Sequence, residues 1–349
     1  MKKIRQLFMV PAAVLIAGIS VRAASVIANV SSGTLMVQAT SGSQTVDIHQ
    51  NGANWIVRGL DGTSINGKSW RLFTGVTNIV TLLGSGNDTL HIHDGDLSGT
   101  LTVVYGSSDK GIKKTSLDNL SVNALTYTSS QNNLNYLNVN GIFATMNVVL
   151  VFGDGPNTVN LEHTESFNGF TVVVGDGNNN LNIIDDNSGF IFGSPVTVVA
   201  GDGNNTIHVA GLYAGNLIVQ AGDGANTIRA NNIQTFDFGY TAILKPNVTP
   251  HIPIGEDVFV AGTGPNLIQL YNYNTQNELI VVPEGNNNLV QISKSSAPYL
   301  TVNAGPIIEV LNGSFGLAVF SDSYGKGALH LLGNSFSSLT VDPSLKLIP

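Results

Sequence analysis

The chain has 349 residues, no cysteine, and a formal net charge of −8 from 15 basic and 23 acidic side chains. The missing thiols exclude a disulfide framework, a lipoprotein anchor and thiolate metal sites. So few Lys and Arg argue against a nucleic-acid partner, because neutralising phosphates needs clustered positive charge. With 42% hydrophobic and only 11% charged residues, the chain can bury a core and is not disordered.

At the amino end, Lys2, Lys3 and Arg5 precede an apolar stretch from about Leu7 to Val21, interrupted by Pro11, and Val21-Arg22-Ala23 supplies small residues for cleavage. This pattern predicts a secretory signal over residues 1–24, cut near Ala23 or Ala24, with an uncleaved anchor as the alternative. Cleavage would remove four basic and no acidic residues, leaving 11 against 23 and a net charge of −12. The expected location is extracellular or at the cell surface, with the periplasm as alternative, and no membrane span follows the signal.

From Ser25 onward one phrase recurs. Its copies begin at Gly84, Gly153, Gly175, Gly201, Gly222 and Gly262, with a looser one at Glu284. From Gly153 on, the steps are 22, 26, 21, 40 and 22 residues. A period of this size marks a repeat architecture in which each unit buries its apolar face only against its neighbours. Each copy opens on a Gly-x-Gly turn and continues in strict alternation, which is the pattern of a strand with one buried face.

One predicted inward column reads Leu90, Val159, Leu181, Ile207, Ile228, Ile268, Val290, and the next reads Ile92, Leu161, Ile183, Val209, Ala230, Leu270, Ile292. Between them the outward column is polar throughout: His91, Asn160, Asn182, His208, Arg229, Gln269, Gln291. A β-branched run precedes each turn, as in Val148–Phe152 and Val196–Ala200. Asn157, Asn179, Asn205, Asn226 and Asn266 share the fifth position of the turn and suit a ladder of stacked side chains.

The expected fold is all-β: a single-stranded parallel β-helix, or β-solenoid, of about 22 residues per rung and roughly 12–14 rungs. It spans residues 25–349 as one domain, with a Pro-containing loop insertion near 240–257 and a smaller insertion at 189–195.

Leu83-Gly-Ser-Gly-Asn-Asp-Thr-Leu-His resembles the repeat-in-toxin (hemolysin-type) calcium-binding nonapeptide, in which Gly-Gly-x-Gly-x-Asp precedes an apolar residue. The chain departs from that family in its 22-residue spacing and in carrying its ligand Asp only at Asp88, with Asn elsewhere. The likeness covers the turn grammar and not the metal cage, and the chain more closely resembles secreted β-strand repeat proteins of large-genome environmental bacteria, which are mostly of unknown activity. What the resemblance implies is calcium at the turns. Asp154, Asp176, Asp202 and Asp223 share the middle of Gly-Asp-Gly, so stacking sets them about 4.8 Å apart per rung. Like charges so close repel, and a hard cation would relieve them. With Asp88 they form the calcium candidate. The alternative is that Asp simply favours the turn.

Two further constellations carry chemistry. His91 and His93 lie on one strand face, followed by Asp94 and Asp96, and such i, i+2 imidazoles can chelate a transition metal. Arg229, with His208 one rung below and Asp223 at the preceding turn, sketches a lyase-like cluster, and the alternative is three members of a polar face. Asp185-Asp186 reads as a solvated pair. No nucleophile elbow, phosphate loop or His-Glu-x-x-His occurs. The favoured expectation is a non-catalytic structural or adhesive surface or matrix protein whose polar face takes extracellular polysaccharide or other cell-surface components. The competing expectation is a carbohydrate-active β-helix enzyme, a polysaccharide lyase or glycosidase, centred on Arg229.

Overall fold

The computed structural model describes residues 25–39, 42–106, 111–129, 134–184, 195–236, 256–285, 287–322 and 327–348. The predicted signal segment, Asp185-Asp186 and most of both predicted insertions lie outside them. Among the described residues there is no helix. None is therefore long and apolar enough to cross a membrane.

The chain is a β-solenoid of parallel stacked coils. Twelve consecutive parallel pairings run from Thr34–Gln38 to Ser335–Val341 along the first face of the coils. A second face begins at Thr45–Asn51 and ends at Lys346–Ile348. Register is exact within the motif: Val159 pairs Leu181, Leu181 pairs Ile207, Ile207 pairs Ile228, and Ile228 pairs Ile268. A slip of one residue would turn every apolar side chain to solvent, so alternation pins the stack. All members of both predicted inward columns are buried.

Ten of the described coils also share a corner that the alternation did not reveal. Asp94, Asn119, Gly141, His163, Gly211, Asn232, Asn272, Lys294, Asn312 and Gly333 occupy equivalent positions and all have φ between 48° and 70°. This left-handed conformation is open chiefly to Gly, Asn and Asp. Beyond it the chain turns onto a short third face, burying Leu120 and Val122 in one coil and Ile142 and Ala144 in the next.

The glycines of the motif are dictated by close stacking. Gly203 has φ +129°, and a Cβ added there would lie 2.2 Å from the carbonyl oxygen of Gly177 one coil away. No side chain fits between the turns.

Two details differ from the expected outline. At the amino end the solenoid is closed by antiparallel strands: Ser25–Ser31 pairs Thr34–Gln38, and Asn54–Leu60 lies between Thr45–Asn51 and Trp70–Thr74. They bury Trp55, Val57 and Ile65 over the first coil, the task of a capping unit in a repeat protein. Near the predicted Pro-containing loop, Glu256–Ala261 is already a ladder strand. Asp257 therefore belongs to the coil, where its position in the inward column is otherwise filled by Leu217 and Leu279.

Replacing Ile207 with Asp puts an unpaired charge into this stack and should cost several kcal/mol. Replacing Gln269 with Ala on the outward face should cost well under 1 kcal/mol. Chemical denaturation of the two variants checks the assignment, and equal midpoints would refute it.

Candidate functional site

The turn edge is held by one repeated interaction. Asn135, Asn157, Asn179, Asn205, Asn226, Asn266 and Asn288 form a continuous buried ladder, each Nδ2 donating to the next Oδ1 at 2.6 to 3.0 Å. The same amides donate to carbonyls of their own turn, as Asn205 does to Gly201 (2.9 Å) and Gly203 (3.2 Å). An amide both donates and accepts, so a column of them satisfies itself without accumulating charge.

Asp88 stands in this column but cannot donate. Lys113 repairs the defect from the next coil. Its Nζ donates to Asp88 Oδ2 (2.6 Å) and to the two orphaned turn carbonyls, Gly84 (2.8 Å) and Gly86 (2.7 Å). Three donors meet three acceptors, and both side chains are fully buried. Burial pushes the Asp88 carboxyl up, while the Lys113 hydrogen bond and charge, and the backbone N–H of Gln44, pull it down. The residue that most resembles the calcium-binding repeat thus has its carboxylate engaged by an ammonium group.

The Gly-Asp-Gly aspartates line the outer rim of the turns. Each Oδ1 accepts a backbone N–H from the following coil: Asp154 from Asp176 (3.1 Å), Asp176 from Asp202 (3.0 Å), Asp202 from Asp223 (2.9 Å) and Asp223 from Thr263 (2.7 Å). The Thr263 bonds hold the Asp223 carboxyl below the ordinary range.

On the second face the outward column becomes a hydrogen-bonded row. Arg229 Nε donates to Gln269 Oε1 (2.8 Å), Gln269 Nε2 to Gln291 Oε1 (2.6 Å), and Gln291 Nε2 to Glu309 Oε2 (2.7 Å). These four side chains, with Tyr271 and Leu311, line an open groove of about 280 Å³. Tyr271 is 43% exposed, and its hydroxyl accepts from Lys294 Nζ at 2.8 Å. The predicted Arg229, His208 and Asp223 trio has three separate sets of partners. Arg229 bonds Gln269, His208 faces Asn231 at 3.1 Å, and Asp223 bonds the turn backbone. Burial, then the Arg229 charge, lowers the His208 pKa. Glu309 extends the outward column from a weaker rung beyond Gln291, where the column reading stopped, and Tyr271 lies one residue past the last motif position of its copy.

His91 and His93 are joined by residues that the sequence reading overlooked. Asp47 and His49 pair with them across the first coil step, in register. Asp47 lies 3.0 Å from His49 Nδ1, 3.1 Å from His93 Nε2 and 3.5 Å from His91 Nδ1. The outer nitrogens are held in turn, His93 Nδ1 by Asp94 (2.8 Å) and His91 Nε2 by Asp118 (2.9 Å). Burial opposes the charged form of His93, but hydrogen bonds to Asp94 and Asp47 outweigh it and raise its pKa. The signal available in sequence was the echo of His91-Ile-His93 in Asp47-Ile-His49. Asp96, also singled out there, instead takes its backbone N–H to Gln50 Oε1 at 2.7 Å.

Asp257 is a second buried carboxylate, and its hydrogen bonds among the described residues are to neutral groups. It accepts from Leu217 N–H (2.8 Å), Asn277 Nδ2 (3.2 Å) and the Thr235 hydroxyl (2.5 Å). Desolvation dominates and raises its pKa.

Comparison with protein families, curated proteins and solved structures returns no match for this chain.

Two stability experiments follow from these buried charges. Lys113→Met strands the Asp88 charge and two carbonyls, at an expected cost of about 3–5 kcal/mol. The Asp88→Asn, Lys113→Asn double variant extends the amide ladder and should recover most of that loss in melting temperature. If Lys113→Met melts like the parent, the repair role is wrong. Asp257 binds its proton more tightly folded than unfolded. Its contribution is therefore fully present below the ordinary carboxylate range, near pH 4, and is lost as pH rises through its raised value. The melting temperature of Asp257→Asn should gain on the parent as pH climbs from about 4 towards 7. A constant difference over that window would show that another group governs the profile.

Proposed function

We propose that this chain is a non-catalytic extracellular protein of surface structure, matrix or adhesion, which presents its outward columns as a rigid polar face to polysaccharide. The observation that carries the reading is the unbroken row from Arg229 through Gln269 and Gln291 to Glu309, set in a groove beside the exposed Tyr271 ring. Sugars are recognised by planar hydrogen-bonding groups next to an apolar ring face, and this groove offers both. Because each side chain is fixed by its neighbours in the row, little rotamer entropy remains to be lost on binding. On earlier coils the same outward column carries a second row, Asn138, Asn160 and Asn182, linked at 2.9 Å per step, with His208 between the two rows, so a long chain would meet polar groups over many coils.

Calcium, in this reading, binds weakly at the rim aspartates through the oxygens that the backbone does not use. The ladder beneath is amide-based, so the stack does not depend on the ion.

Affinity measurements against acidic and neutral polysaccharides, with and without calcium, test this. Binding without bond cleavage, weakened about 10-fold or more by Tyr271→Ala, is the expected result, with calcium giving a small rise in melting temperature. Turnover that disappears in Arg229→Ala would replace the proposal with the β-helix enzyme reading. Unfolding in chelator would replace the amide-ladder account with a calcium cage.

A further inference from the structure

We infer that Asp47, His49 and His93 form a binding site for one divalent first-row transition-metal ion, zinc being the best fit. Their ligand atoms all lie within 4.8 Å of one another. The inference is independent of any role for the polar groove, which lies on later coils.

The strands place these groups with little freedom. Asp47 and His49 are two residues apart and so share a face of Thr45–Asn51, while His93 pairs directly with His49 on the adjacent parallel strand. The His49 and His93 rings stack with centroids 5.1 Å apart, and His91 and His93 with centroids 4.2 Å apart. The side chains of Asp47, His49 and His93 are 13%, 21% and 23% exposed, sheltered yet open to an entering ion.

The hydrogen bonding points inward. His93 uses Nδ1 for Asp94, whose other oxygen accepts from Asn119 Nδ2 at 2.8 Å. This fixes the ring and directs Nε2 at Asp47 Oδ1, 3.1 Å away. Nε2 therefore faces a carboxylate oxygen at close range, and an ion entering between them would displace any proton the two share, as metal ligation by imidazole requires. A carboxylate holding the far nitrogen of a ligand histidine is the usual outer support of a metal centre. Asp118, itself bonded by Ser116 Oγ (2.6 Å), holds His91 Nε2 in the same way and leaves Nδ1 facing Asp47.

Two imidazoles and a carboxylate select the metal class. Nitrogen ligands disfavour calcium and magnesium, whereas zinc, nickel and copper accept this donor set. Zinc takes such ligands at about 2.0–2.2 Å in tetrahedral geometry, its fourth position filled by water. Ligand atoms in that geometry stand about 3.3–3.6 Å from one another, so the 3.0 and 3.1 Å separations from Asp47 would open slightly, and the histidine nitrogens, within 4.8 Å, already lie near that edge length.

Calorimetric titration of the full chain with zinc chloride tests the assignment, with cobalt(II) absorption as a second readout. One ion per chain is expected. His49→Gln and His93→Gln should each abolish uptake, Asp94→Asn should weaken it about 10–100-fold, and His330→Gln on a distant coil should leave it intact. Circular dichroism of each variant separates lost ligands from lost fold, and Asp94→Asn, whose side chain is largely exposed, retains the fold in any case. No uptake at millimolar zinc, or uptake that survives in folded His49→Gln and His93→Gln, would overturn the inference.

Discussion

Stacked turns bring backbone carbonyls together where water cannot reach them, and the whole solenoid depends on answering those carbonyls. The Asn ladder does so. Each buried amide closes its own turn and links to the next coil, so the element that shapes one repeat also binds it to its neighbour. Leaving such groups unpaired costs about 1–3 kcal/mol each, a penalty repeated along the coils from Asn135 to Asn288. The apolar columns supply the driving force, while the ladder determines where the chain turns and which register survives.

The break in the ladder at Asp88 and Lys113, adjacent members of the column, clarifies the rule. Asp88 breaks the column, and the structure supplies an ammonium group whose three donors replace what the missing amide would have given. A buried ion pair is rarely a gain over neutral groups of the same shape. Here the pair stands beside the junction where the regular ladder gives way to the capped amino end.

Much of this was legible in sequence because the signals were periodic. Inward and outward columns, the Gly-Asp-Gly turns and the stacking asparagines all repeat at fixed offsets, and repetition separates pattern from chance. Asn135 joined the ladder from Gln131-Asn-Asn-Leu-Asn-Tyr-Leu, a weaker rung that the sequence sets between Gly106 and Gly153. The unread features were those carried by dissimilar residues in equivalent places. The left-handed corner accepts Asp, Asn, His, Lys or Gly, so no residue type marks it. Lys113 and Asp88 are 25 residues apart and complementary rather than alike. The amino-terminal cap is antiparallel and shares no motif with the coils. The His–Asp cluster spans two strands separated by that cap, so spacing within either strand reveals only half of it.

The ladder is indifferent to how much chain lies between its members. Asn205 and Asn226 are 21 residues apart, Asn226 and Asn266 are 40 apart, and the two links measure 2.9 and 3.0 Å. Within the ladder, coils are therefore interchangeable: gain or loss of a whole repeat brings another Asn onto the same kind of partner and keeps the ladder link. The length of the rod then becomes a trait that duplication or deletion can alter in steps of about 4.8 Å, without a new fold having to be found.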